Sequence, residues 1–514
     1  MKIKNPVVKG FYPDPSICYA EGKFYMVCSS MQFFPGVPLF ESEDLVHFKQ
    51  IGNVLSSLSQ VDLHNIPSSG GVFAPTIRYN NGRFYMVTTN DSLHKNFYVY
   101  TDDIYGEWSE PIFVDQGGID PSLFFEDGKT YFMSNGDDTD GRGCIFQSEI
   151  DIETGERLTE PRPLWNGNGG RYLESPHMYK FGRYYYLMAA EGGTEFGHMI
   201  TYARSANIYG PFTPYKGNPI LTNRDFGGHQ THIMGIGHGD LVTNSEGETF
   251  MVCLGFRIED DWVPYHHLGR EVFLIPVKWD GEWFTAGVSG NVYEEMDIPV
   301  DSMVKPGTPD TDYSISMPFN KDDRLRLSYV RDYKAENYDI TDDSITLTTT
   351  EIPLTKQDSP TFVGVRQSEF DTELSVNVTK TLGEAGLTIY MDDNEHYDIA
   401  RVYVPEKDMH EIIVRYQVGD ATAISYREKL HTEDVVKLII TSTSTEYEFA
   451  YSINGQIRKL CKAQSKYLST EVAGGFTGVF GGVYATSKVM FGYEDYDVNP
   501  GEKAVFTEFN FRQG

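Results

Sequence analysis

The chain is poor in cysteine, poor in cations and free of long apolar runs. Five cysteines (Cys18, Cys28, Cys144, Cys253 and Cys461) are scattered over 514 residues. No two form a CxxC pair, which excludes a zinc ribbon or a thioredoxin-type site, and five are too few for a disulfide framework. Lys and Arg number 43 against 74 Asp and Glu, a formal charge of −31. Nucleic acids and anionic membranes require a basic surface, so neither is expected as a partner. No run of about 18 apolar residues occurs, and the opening MKIKNPVVKG has no apolar h-region. A soluble, cytoplasmic chain is the expectation; a homo-oligomer is compatible with it.

Several catalytic motifs are also missing. There is no GxSxG elbow, no HExxH and no P-loop. The stretch GIGHGD at 235–240 is not followed by a helix-forming sequence, so it is not a dinucleotide fingerprint. DDTDG at 137–141 imitates part of a calcium loop. Aligned on its glycine, the first and twelfth ligand positions fall on Gly136 and Gln147, which cannot serve.

Aromatics, by contrast, are plentiful: 34 Tyr and 32 Phe, with 49 Gly and 25 Pro. With 40% hydrophobic residues, this composition predicts a well-cored all-β chain of short strands and tight turns. Its length suggests two to four domains, at about 150 residues each.

One pattern recurs. DPSICYAEGKFY at 14–25, APTIRYNNGRFY at 74–85, DPSLFFEDGKTY at 120–131 and ESPHMYKFGRYY at 174–185 share a register. Each carries Gly eight residues after its first position and an aromatic eleven after it. A looser fifth copy begins at His238 (HGDLVTNSEGETF). Each copy reads as a β-hairpin turning at a Gly with φ > 0. The spacing leaves room for about four strands per copy, the content of a propeller blade. The expectation is therefore a five-bladed β-propeller over residues 1–305. A β-sandwich with coincidental hairpins is the alternative.

In a propeller, equivalent positions of the innermost strands converge on the central channel. The first repeat position holds Asp14, Ala74, Asp120, Glu174 and His238. Clustering three carboxyls is costly, because like charges repel and raise one another's pKa. Asp before Pro-Ser also caps turns, which is the structural alternative for Asp14 and Asp120. Carboxyls gathered at a pocket suit glycoside hydrolysis, in which one acid protonates the leaving oxygen and one carboxylate activates water or attacks carbon. Aromatic surroundings suit the C–H faces of a sugar.

Residues 306–320, rich in Pro and Gly, read as a linker. Beyond them the repeat stops and strict alternation begins. Tyr447, Phe449, Tyr451 and Ile453 alternate with polar or small residues, and Asn454-Gly455 makes a two-residue turn. Further strands are expected at 386–391, 397–404, 411–418, 435–441 and 488–498. Residues 321–514 therefore read as a β-sandwich or jelly roll.

The ordered set NPVVKGFYPDPSI at 5–17, FPGVPLF at 34–40, GVFAPTIRY at 71–79, GGIDPSLFF at 117–125, RYLESPHMYK at 171–180, GHGDL at 237–241 and LGREVFL at 268–274 resembles glycoside hydrolase family 43. The resemblance extends through FVGVRQSEF at 362–370, EAGLTIYM at 384–391 and GGFTGVFGGVYAT at 474–486. It is nearest to the family's two-domain β-xylosidases. It implies a five-bladed propeller plus a concanavalin-like sandwich, with inverting release of terminal xylose or arabinofuranose from small oligosaccharides.

By motif, the resemblance makes Asp14 the general base, Glu174 the general acid and Asp120 the residue that orients the acid and tunes its pKa. Arg270 is similar to an arginine that contacts the sugar beside the base; an ion pair with Glu271 is the alternative. His238 matches a channel histidine that in many relatives helps hold calcium, although no cofactor is needed for the chemistry; a hydrogen-bonded core histidine is the alternative. Phe476 matches a loop by which the sandwich closes the pocket, and otherwise reads as a turn residue. Met31, Phe33, Phe73 and Ala74 are expected along the pocket wall. Many relatives carry Phe at position 31 and Trp at 33 and 73. The leading expectation is an exo-acting β-xylosidase, the second an α-L-arabinofuranosidase, and the third a non-catalytic sugar-binding propeller.

Overall fold

The computed structural model describes residues 2–226, 231–259, 264–298, 312–379, 381–431, 435–491 and 495–514. Strand dominates. Among the described residues the α-helices are two short ones, Lys321–Leu325 and Thr470–Ala473.

Five four-stranded antiparallel sheets follow one another along the first part of the chain. Their first strands are Ser16–Ala20, Thr76–Asn80, Ser122–Glu126, Glu174–Phe181 and Ile233–Thr243. Each pairs with the next strand in sequence, so every repeat copy is a hairpin. These five strands contact one another in chain order, and the fifth returns to the first. The sheets therefore stand in a ring with their first strands innermost. The N-terminal segment closes it: Lys2–Lys4 pairs with Glu295–Asp297, and Val7 N–H donates to Val272 O in the fifth sheet at 2.8 Å.

The hairpins show why the repeat has its Gly. In copies one to three the turn pairs are Glu21-Gly22, Asn81-Gly82 and Asp127-Gly128, with φ > 0 at both positions. This backbone matches strand twist and is easy only for Gly and Asn or Asp. The fourth copy departs from the shared register. There Phe181 pairs with Tyr184, so the turn pair is Gly182-Arg183, one residue later. A bulge between Glu174 and His177 absorbs the slip. Ser175 (φ 55), not Glu174, takes the left-handed backbone that Asp14 (φ 56) and Asp120 (φ 53) adopt. Each of the three precedes a proline.

Beneath the site the ring is tied by a buried polar network. Asp240 of the fifth sheet, wholly buried, accepts two hydrogen bonds from Arg78 of the second at 2.7 and 3.0 Å. It also accepts Ser16 Oγ of the first sheet and Tyr179 Oη of the fourth, both at 2.6 Å. Burial alone would raise the Asp240 carboxyl, but Arg78, His177 and the Ser16 hydroxyl together outweigh it and hold it far below the usual carboxylate range. Removing one partner of a buried pair strands the other charge. Arg78→Ala should therefore cost roughly 3–5 kcal/mol of stability, read as the shift in a urea unfolding curve. A loss under about 1 kcal/mol, the scale of a surface ion pair, would contradict this picture.

The second part is a sandwich. A six-stranded sheet carries Phe362–Arg366, Phe480–Thr486, Glu384–Tyr390, Glu395–Val404, Met409–Val418 and Ala421–Lys429 in that spatial order. An eight-stranded sheet faces it across a core that includes Leu374, Leu387, Leu438 and Phe511. Asn454-Gly455 makes the expected tight turn between Ile453 and Gln456. The expected strand 488–498 is a pair of short strands, Lys488–Val489 and Tyr496–Asp497, with 492–494 outside the described residues. Of the expected linker, 306–311 also lie outside them. Its later part belongs to the sandwich, because Ile315–Ser316 pairs with Asn510 and Phe511. The two parts meet over an apolar cluster including Phe11, Phe33, Tyr390 and Phe480.

Candidate active site

Asp14, Asp120 and Glu174 line one cavity of about 470 Å³ at the end of the ring, walled on one side by Thr470 and Phe476 of the sandwich. Asp14 and Asp120 sit just before the innermost strands of their sheets in left-handed backbone, which Asp tolerates better than larger residues. The approach to Asp120 needs glycine at 118: a Cβ there would lie 1.8 Å from Asn135 O. Glu174 reaches the cavity because of the slipped register. Its neighbour Ser175 donates its N–H to Asp120 Oδ2 at 3.1 Å, tying the two carboxyl-bearing segments together.

The three carboxyls have unlike proton affinities. Burial alone would raise Asp14, but Arg270, His238 and the Ser29 hydroxyl outweigh it and hold it below its ordinary value. Arg270 Nη1 donates to Asp14 Oδ1 at 2.9 Å, and Ser29 Oγ to Oδ2 at 2.5 Å. Glu174 is pushed up to about 7, first by burial and then by the Asp14 charge. Asp120 is raised well above its ordinary value by burial, then by Glu174 and Asp14. At neutral pH the site thus holds an ionised Asp14 beside a pair that retains a proton. After burial, repulsion on Glu174 comes from Asp14 and, mutually, from Asp120, whose own carboxyl Glu174 raises in turn.

A pH dependence follows. Activity through a protonated Glu174 must fall as pH rises through about 7, and activity through an ionised Asp14 must persist to below the ordinary Asp range. The measurement is kcat/KM against pH. A basic limb near 4.5, the unperturbed Glu value, would contradict the assignment.

Arg270 is 5% exposed and pairs with Asp14; its neighbour Glu271 pairs with Arg257 instead. Arg270 also donates to Thr194 Oγ1 at 3.0 Å and to Phe476 O at 3.3 Å. Phe476 N–H in turn donates to Ser69 Oγ at 2.8 Å, so the sandwich loop is pinned to the ring from both sides. Met31, Phe73, Ala74 and Phe476 line the cavity, with the Phe73 and Phe476 rings edge to face at 6.3 Å. Phe33 does not. It is fully buried and stacks on Phe480 at 4.0 Å, where the apolar seam between the two parts takes it up.

His238 lies in the cavity with Nδ1 3.7 Å from Asp14 and 3.8 Å from Asp120. Among the described residues no group of three or more His, Cys, Asp or Glu side chains is placed to hold a metal ion. Calcium takes six to eight oxygens, and the nearest carboxylate, Asp14, is already engaged by Arg270 and Ser29. The residues present do not fit the calcium implied for His238, and no step below passes through a metal.

Sequence reading missed Ile119, Tyr172, Thr194, Glu195 and His198, which also line the cavity. The Gly-rich EGGTEFGH at 191–198 was the available signal, because it follows an innermost hairpin. His198, wholly buried with Nδ1 3.3 Å from Gly235 O, ends that same stretch.

A carboxylate held ionised beside a carboxyl that keeps its proton, in a cavity of sugar size, defines a glycoside hydrolase. The chain belongs to glycosyl hydrolases family 43, whose model matches residues 3–284, and residues 319–498 match the β-xylosidase C-terminal concanavalin A-like domain. It is 37% identical to a non-reducing end α-L-arabinofuranosidase of Bacteroides ovatus, over 99% of this chain and 94% of that one. It is 34% identical to a xylosidase/arabinosidase of Butyrivibrio fibrisolvens, over 96% and 98%. Among solved structures, the Bacteroides ovatus xyloglucan PUL GH43B protein superposes with a TM-score of 0.89 at 34% identity, covering all of both chains.

Proposed function

We propose that this enzyme is an inverting, exo-acting glycosidase that removes a terminal pentose from short oligosaccharides, with α-L-arabinofuranose the preferred unit, and that its ring of sheets is a five-bladed propeller. The observation that carries the chemistry is the opposed proton affinity of Asp14 and Glu174 around one cavity.

In this reading Asp14 takes a proton from water as the water oxygen bonds to the anomeric carbon. Glu174 gives its proton to the glycosidic oxygen as the C–O bond breaks. The sugar leaves with inverted configuration. Asp14 is then protonated and Glu174 ionised, and exchange with solvent restores both. Arg270 keeps Asp14 ionised and aimed. The sandwich loop at Phe476 closes one side of the cavity, so a chain end enters and a chain middle does not.

The choice of pentose rests on the wall. Met31 and Phe73 stand where the resembling β-xylosidases often carry Phe and Trp, and the Bacteroides ovatus relative named as an arabinofuranosidase matches over 99% of this chain. β-D-xylose is the second reading, favoured by relatives named for both activities. The test is kcat/KM on 4-nitrophenyl α-L-arabinofuranoside and β-D-xyloside, with the released anomer followed by NMR. A higher value on the arabinofuranoside supports the first reading, and on the xyloside the second. No turnover of either, or retention of configuration, would sink the proposal.

A further inference from the structure

Resting on the glycosidase reading, we propose that Tyr172 is the platform for the leaving part of the substrate, stacking on the sugar next to the cleaved bond.

The general acid must touch the glycosidic oxygen, so the leaving sugar emerges on the Glu174 side of the cavity. Tyr172 lies two residues upstream of Glu174, lines the same cavity and is 61% exposed, the most exposed aromatic of its lining. A large exposed aromatic at a pocket rim contributes little to folding and much to holding a ligand with an apolar face.

The segment that presents this ring is built with care. Tyr172 has φ 52, a left-handed conformation that is unfavourable for a bulky aromatic side chain. Three anchors enforce it. Glu191, wholly buried, accepts the backbone N–H of Asn168 at 2.7 Å and of Gly170 at 2.5 Å, and the Thr201 hydroxyl at 2.6 Å. Arg171 exchanges hydrogen bonds with Gly192, accepting its N–H at 2.7 Å and donating Nε to its carbonyl at 3.0 Å. The Tyr172 ring seats over Gly193, where an added Cβ would lie 3.0 Å from it, and the Arg171 guanidinium sits 5.2 Å from its centre. A buried carboxylate spent on backbone amides fixes this loop, and the loop displays one solvent-exposed ring beside the acid.

The test separates the leaving sugar from the chemistry by holding the leaving group's basicity constant. The substrates are the methyl glycoside of the pentose that the parent enzyme releases and the same pentose linked to xylobiose. Both expel a poor alkoxide, but a methyl group is too short to reach Tyr172. Tyr172→Ala should lower kcat/KM on the oligosaccharide by about 10-fold or more, the scale of losing one well-stacked aromatic. It should leave the methyl glycoside within about twofold, as expected when only leaving-sugar binding is lost. Tyr172→Phe should keep both. Equal losses on both substrates, no loss on the oligosaccharide, or Phe as damaging as Ala would overturn the platform role. A parent enzyme that turns over neither substrate would instead overturn the glycosidase reading.

Discussion

The Glu174→Ala enzyme will lose about 10²–10⁴-fold in kcat/KM on a natural disaccharide, the usual contribution of general acid catalysis, and far less on a nitrophenyl glycoside. An alkoxide cannot depart without a proton, whereas nitrophenolate leaves nearly unaided. The structure sharpens this expectation. Glu174 carries its proton near neutrality because burial and the Asp14 charge oppose its ionisation, and Asp120, also raised, is held 3.1 Å from the Ser175 amide rather than free to replace it. The measurement is the ratio of kcat/KM on the two substrates in variant and parent. An equal loss on both would remove the basis for calling Glu174 the acid.

The Asp14→Ala enzyme should lose activity on both substrates alike, again by roughly 10²–10⁴-fold, because water needs its base whatever the leaving group. The variant also strands Arg270, a residue 5% exposed that loses its carboxylate partner. Azide, a small nucleophile that needs no base, should restore part of the rate on the nitrophenyl glycoside and yield the glycosyl azide of inverted configuration. If the Asp14 variant instead shows the leaving-group dependence, the two roles are exchanged.

Much of this architecture is legible in four short segments. The Gly-aromatic spacing reports turns that need φ > 0, and turn chemistry is a local property, so copies at 14, 74, 120 and 174 announce their hairpins directly. Their first positions announce the carboxyls for the same reason. What the sequence hid depends on pairing across distance. Glycine at 182 keeps its place in the written repeat, yet its turn forms one residue later, and only the Glu174–His177 bulge reveals it. Phe33 reads as a wall residue from the family resemblance, but Phe480, far along the chain, claims its ring. Arg78 and Asp240 lie inside quoted motifs, yet nothing local says that they meet. Tyr172 lies inside a quoted motif and Glu191 opens the Gly-rich stretch after it, yet nothing local says what either does. Their roles arise from a loop folding back on a strand.

The wall formed by Phe476 has an evolutionary consequence. The three carboxyls and Arg270 all come from the ring of sheets, while Thr470 and Phe476 reach the same cavity from the sandwich, some 200 residues later in the chain. The reacting groups and one wall of the cavity are therefore written in separate stretches of the gene. A lineage can redraft the sandwich loop and so reshape one wall of the cavity, while the three carboxyls and Arg270 are inherited unchanged.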